Sequence, residues 1–291
     1  MVDGLLTVYL ESGSGPDLLL LHGAGGSSFD WIAVMRQLAD THHVFALDMP
    51  GSGKTPPLDA YSPQRYAAFV ESFTASIGLK DYVLVGNSFG GMVAIHVARS
   101  VHRNVERLVL VSSGGLGRAA NPLQILTSLP VMRRIVLAMS QLPGAPLINT
   151  IGSALSTTYQ PWKIPPLWYK DRVQRARDPQ FVRTSLAVLA DVLTPFGQRY
   201  DLRPELPHLD MPTLVVWGVG DRLAPVWQAA SASLLPRGDC NLLPAGHCPQ
   251  LDVAGDFVRV VRSFLNDNSH VTTGTDRLKP PVECTGPRGV K

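Results

Sequence analysis

What this chain has little of already excludes several functions. Its 291 residues include three cysteines, Cys240, Cys248 and Cys284, an odd and widely spaced set with no C-x-x-C pair. That pattern argues against a disulfide framework or a zinc site and for a reducing compartment. Charge is sparse: 17% of residues are Asp, Glu, Lys or Arg, and the formal net charge is +3. The arginines form no run, so nucleic acid is not expected as a partner. The opening Met1-Val2-Asp3-Gly4 lacks the basic-then-apolar pattern of a signal peptide. The longest apolar stretch, Leu123 to Leu142, is broken by Pro130, Arg133 and Arg134, so no stable membrane insertion is expected. A cytoplasmic protein is the expectation.

The chain is 45% hydrophobic and long enough to bury a sizeable core. Thr7–Leu10 reads as an edge strand. Asp17–Leu21, His43–Asp48, Tyr82–Val85 and Val105–Ser113 follow as apolar runs, the mark of strands covered on both faces. Helical spacing separates them at Phe29–Asp40, after Ser62-Pro63 (Tyr66, Phe69, Val70, Phe73 and Ile77 on one stripe), and after Ser88. This alternation predicts a mostly parallel α/β sheet with helices on both faces. It breaks at Gly114. From about 118 to 207 no sheet strand is evident, only apolar helices and proline-rich turns. It resumes with Pro212–Gly218, a helix around Val226–Leu235, a strand around Asn241–Leu243 and a last helix bearing Phe257, Val260, Val261 and Phe264. The middle segment therefore reads as an insertion over the carboxyl ends of the strands, where ligands bind in open α/β sheets. The tail from Asn266 is expected to be disordered.

Gly86-Asn87-Ser88-Phe89-Gly90 joins a β-branched run to an apolar helix at the G-x-S-x-G spacing of a nucleophile elbow. A serine on so tight a turn needs near side-chain-free neighbours two residues away. Two further groups complete such a site. Asp221 lies just past a strand end in Gly218-Val219-Gly220-Asp221; alone, an Asx-turn would account for it. His247 sits on a loop between Gly246 and Pro249. The order Ser88, Asp221, His247 suits this elbow, and each falls at the carboxyl end of a different strand. Backbone N–H groups of Phe89 and Ala24, flanked by Gly23 and Gly25, suit an oxyanion hole, because only small residues let a substrate oxygen reach the main chain.

These residues resemble the α/β-hydrolase family through residue 265. The likeness rests on His22-Gly23 after a strand, Asp48-x-Pro50-Gly51-x-Gly53, the Ser88 elbow, Asp221 and Gly246-His247-x-Pro249. The resemblance implies a roughly eight-stranded sheet formed by 1–117 and 208–265, with a helical cap, 118–207, inserted after the sixth strand. It implies Ser88 as nucleophile, His247 as base and Asp221 as its partner. The elbow looks like that of capped esterases and of meta-cleavage-product hydrolases, which break carbon–carbon bonds. The latter usually carry a distinctive cap arginine, and none of Arg172, Arg175, Arg177 and Arg183 can be matched to it from sequence. The expected reaction is cofactor-free hydrolysis of a small apolar ester or ketone; a slow-turnover ligand sensor on the same fold is the rival.

Two patterns imitate nucleotide sites. Gly51-Ser52-Gly53-Lys54-Thr55 looks like the end of a P-loop, but Asp48 stands where its first glycine belongs, and Pro56-Pro57 prevents the following helix. Gly23-x-Gly25-x-x-Ser28 lacks the third glycine of a dinucleotide fingerprint. His96, among Val93, Ile95 and Val97, reads as a core histidine. His42-His43 has no acidic or cysteine partner nearby in sequence, and no metal is expected. Trp162, Trp168 and Tyr169 read equally as an aromatic substrate pocket or as packing of the cap.

Overall fold

The computed structural model describes residues 1–100, 104–267 and 284. Strands β1 (Tyr9–Ser12), β2 (Asp17–Leu21), β3 (His43–Leu47), β4 (Tyr82–Asn87) and β5 (Val105–Val111) come first. Between them run α1 (Ile32–Leu38), α2 (Pro63–Ser76) and α3 (Phe89–Ser100). The insertion then holds α4 (Pro122–Ser128), α5 (Pro130–Met139), α6 (Ala145–Thr157), α7 (Pro166–Ala176) and α8 (Pro179–Val192), and a hairpin of β6 (Leu193–Thr194) and β7 (Gly197–Gln198). Strands β8 (Thr213–Gly218) and β9 (Gly238–Leu243) and helices α9 (Pro249–Asp252) and α10 (Ala254–Asn266) close the fold.

The sheet runs β1-β3-β2-β4-β5-β8-β9, with β1 antiparallel and the other strands parallel. Its apolar runs divide between two cores by simple alternation. Leu18, Leu20, Val83, Val85, Val109, Val111, Leu214 and Val216 face α1 and α10, packing with Trp31, Phe257 and Val261. Leu19, Leu21, Leu84, Leu108, Leu110 and Val215 face the opposite way, with Phe69, Phe73 and Val93 of α2 and α3. Truncating one such leucine to alanine would cost about 2–5 kcal/mol. Elbow strand β4 lies between β2 and β5, so the turn that follows it opens near the middle of the sheet's carboxyl edge.

Among the described residues the sheet has seven strands, against roughly eight expected, and the insertion follows the fifth, not the sixth. The insertion also contains the two-stranded β6–β7 hairpin, too short for periodicity to announce. The expected helix at 226–235 is a 3-10 helix, Val226–Leu234. Each inserted helix has a proline in its first turn. There the missing N–H costs nothing and the fixed φ favours helix entry.

The cysteine expectation is overturned, because Cys240 of β9 and Cys284 are disulfide-bonded. Their separation of 44 residues made the pair invisible to spacing rules. The argument for a reducing compartment falls with it. The expected disordered tail lies outside the described residues, apart from Asn266, which ends α10, Asp267 and Cys284. No helix among the described residues is long and apolar enough to cross a membrane.

Candidate active site

Ser88 has φ +55°, the left-handed conformation of a strained turn. The flanking glycines are a steric necessity. A Cβ on Gly86 would lie 2.3 Å from the Gly90 carbonyl oxygen, and one on Gly90 would lie 2.4 Å from that of Leu21. Asn87 locks the turn in place: its Nδ2 donates to the carbonyls of Val111 (3.0 Å) and His247 (3.1 Å), tying elbow to histidine loop.

Asp221 faces two ways. Its Oδ1 accepts from the N–H groups of Leu223 (2.8 Å) and Ala224 (3.0 Å), the Asx-turn that sequence alone would suggest. Its Oδ2 lies 2.8 Å from His247 Nδ1, and the carboxylate side chain is wholly buried. The remaining ring nitrogen, Nε2, is left for other chemistry. Ser88 and His247 line one cavity of about 800 Å³. Nε2 is thus the His247 nitrogen left to meet the Ser88 hydroxyl across that cavity.

The loop after β2 is held from both sides. His22 Nε2 accepts from Met49 N–H (3.1 Å), so Nδ1 carries the proton and donates to Gly23 O (2.8 Å). Burial lowers the His22 pKa, with Asp30 opposing, and keeps the ring neutral. Asp48 accepts from Ser28 N–H (2.8 Å) and Lys54 N–H (3.2 Å), which gives the Asp48–Gly53 motif a structural use. Among the described residues the N–H groups of Ala24 and Phe89 donate to no main-chain acceptor, and both residues line the cavity.

Of the three aromatic residues expected at a pocket, only Trp168 lines the cavity. Its indole Nε1 donates to Asp30 Oδ1 at 2.7 Å. Trp162 is 76% exposed, and Tyr169 bonds Pro161 O (2.7 Å) and stacks edge-on against Trp168, so neither lines it. Helix α7 is fixed to the loop by Arg175, which donates to Gly26 O (2.9 Å) and pairs with Asp171 (2.6 Å). Sequence reasoning missed Asp252, which accepts from the N–H groups of Gly246 (2.7 Å), Tyr159 (2.5 Å) and Gln160 (2.6 Å), joining histidine loop to insertion. Of the four arginines that sequence left unmatched, Arg172 lines the cavity, with its guanidinium 5.3 Å from the Trp168 ring centre. Nothing in sequence spacing could show that either meets the site. Cys248 beside His247 is buried, and that burial pushes its thiol pKa well up, so it is a poor nucleophile. His43, without acidic neighbours in sequence, lies 2.8 Å from Glu11 and 3.2 Å from Asp17 because β1, β2 and β3 adjoin. His96 is half-buried and its pKa is lowered by burial.

A parallel sheet with a strained serine at a central strand end and a buried Asp–His pair at the same cavity defines a hydrolase scaffold. Residues 18–260 match the alpha/beta hydrolase family, and the chain belongs to it. It is 28% identical over 277 residues to the 2-hydroxy-6-oxo-6-(2'-aminophenyl)hexa-2,4-dienoic acid hydrolase of Metapseudomonas resinovorans, covering 92% of this chain and 90% of that one. It is 29% identical over 267 residues to the pimeloyl-(acyl-carrier protein) methyl ester esterase of Aeromonas salmonicida, covering 87% and 96%. A solved bacterial membrane phospholipase A superposes with a TM-score of 0.77 at 27% identity, covering 91% of this chain and 84% of that one.

Proposed function

We propose that this protein is a serine hydrolase acting on a small apolar carboxylic ester, with Ser88 as nucleophile, His247 as base and Asp221 as orienter. The observation that carries the reading is the 2.8 Å contact of buried Asp221 with His247, which lines the same cavity as a serine at φ +55°. His247 Nε2 takes the Ser88 proton as Oγ bonds to the carbonyl carbon. The N–H groups of Phe89 and Ala24 hold the charge that develops on the carbonyl oxygen. His247 then returns the proton to the leaving oxygen, and a water repeats the sequence to free the acid. In this reading residues 118–207 form a cap over 1–117 and 208–265, and no cofactor enters. The similar methyl ester esterase supports an ester substrate.

A second reading, carbon–carbon hydrolysis of an anionic dienoate, is favoured by Arg172, a cation in a mostly apolar cavity. It agrees with the similar dienoic acid hydrolase. Sustained turnover of p-nitrophenyl esters supports the ester reading. A single stoichiometric burst would point to a ligand sensor, and turnover of a ring-fission dienoate alone would select the second reading. A fluorophosphonate probe should label the wild type and not Ser88→Ala; equal labelling of both refutes the nucleophile. A cytoplasmic location stays part of the proposal and is tested by cell fractionation; recovery from an oxidising compartment would accord with the Cys240–Cys284 bond instead.

A further inference from the structure

The outer surface of the insertion is built unlike the rest of the chain. Between Glu106 and Asp171 the sequence contains no acidic residue, yet it carries Arg118, Arg133, Arg134, Lys163 and Lys170. Helix α5 buries none of its residues. Val131, Ile135 and Met139, spaced four apart on one stripe of α5, are 67%, 43% and 58% exposed, and Arg134 stands beside them. On α6, Ile148 and Ile151 are exposed as well. Among the described residues Arg133, Arg134, Lys163 and Lys170 form no ion pair. Scattered exposed apolar residues need no explanation, but apolar stripes repeated on successive helices mark a binding surface.

Charge decides the kind of partner. A second copy of this chain would bring the same acid-free, cationic face against itself, where like charges repel. An anionic bilayer offers the complement: hydrocarbon for the aliphatic stripe and headgroup charge for Arg134 beside it and the other basic residues of the acid-free segment. No described helix can span a bilayer, which suits a surface that lies on one. The face also adjoins the cavity, since Leu123 and Gln124 of α4 and Ile148 of α6 line it while Leu123 and Ile148 are themselves exposed.

We propose that the exposed apolar and basic residues of α5 and α6 dock the insertion on an anionic phospholipid surface, so that apolar substrate passes from the bilayer into the Ser88 cavity. The route of substrate rests on the hydrolase reading above; the docking does not. The test is sedimentation of the full chain with vesicles of phosphatidylcholine alone or mixed with phosphatidylglycerol. The wild type should pellet with the anionic vesicles and not the neutral ones, and added salt should release it. Arg134→Glu should weaken that binding at least about fivefold, the effect of one basic side chain near such a surface. Val131→Asp with Met139→Asp should weaken it further. Neither variant lines the cavity, so turnover of a soluble short-chain ester should match the wild type and report intact folding. Failure of the wild type to pellet, or equal pelleting of wild type and both variants, overturns the docking. Sedimentation equilibrium showing a wild-type dimer that Val131→Asp with Met139→Asp dissociates would assign the face to a second copy and overturn it too. If Ser88→Ala still pellets but ester turnover was never present, the hydrolase reading fails and the docking stands.

Discussion

Replacing Gly90 by alanine tests the elbow more sharply than removing the serine does. The added methyl would sit 2.4 Å from the Leu21 carbonyl oxygen and 2.6 Å from that of His22, both backbone atoms that cannot rotate aside. Helix α3 and the end of β2 must therefore separate. Overpacking of this kind costs about 1–3 kcal/mol, which lowers Tm by roughly 2–5 °C in a chain of this size. The displaced segment leads directly into Gly23 and Ala24, the proposed oxyanion loop. A misplacement on the order of 1 Å there costs on the order of 10²-fold in turnover. Gly255→Ala in α10 is the control, because a Cβ there meets nothing within 4 Å. Its alanine should leave activity unchanged and stabilise by roughly 0.5–1 kcal/mol through helix propensity. The measurements are thermal unfolding by circular dichroism and kcat/KM on p-nitrophenyl butyrate. Wild-type values of both for Gly90→Ala would refute the claim that close strand–helix approach positions Ser88, the proposed nucleophile.

Trp168→Phe keeps the ring and removes the indole N–H that Asp30 accepts at 2.7 Å. The loss of a hydrogen bond to a charged group should cost about 1.5–3 kcal/mol, read from urea midpoints, and an unchanged midpoint would show that this bond does not hold insertion to loop. Thiol titration of the denatured, unreduced protein should find Cys248 alone, with Cys240 and Cys284 appearing only after reduction. Reaction of Cys240 and Cys284 before reduction would contradict the bond. Stability should fall as pH drops below about 6.5, where the unfolded histidines take up protons. His22, His42 and His96 have lowered pKa values in the fold, chiefly through burial, so the folded state binds fewer protons than the unfolded one in that window. Urea midpoints at successive pH values test this, and His22→Gln should flatten the decline.

The local features of this protein were written in its sequence. Leu18–Leu21 and Val83–Val85 read as buried strands because a strand covered on both faces must be apolar at every position. Ser62-Pro63 announced a helix start, and the Ser62 side chain does accept from Arg65 N–H. Gly86, Ser88 and Gly90 announced the elbow, since a turn that tight tolerates few side chains. Asp221 and His247 could be nominated by their order along the chain, but their 2.8 Å contact depends on β8 and β9 lying side by side. The insertion was legible only as a break in rhythm. Whether Trp162 points to solvent or Arg172 into the cavity depends on how five short helices pack, and helical spacing is silent on which partner each face meets. The same holds for Cys240 and Cys284, and for Asp252 gripping the histidine loop. Residues close in sequence fix the elements, because backbone sterics and periodicity act over a few positions. Which distant side chains share a cavity is set by long-range packing, and tertiary structure alone decides it.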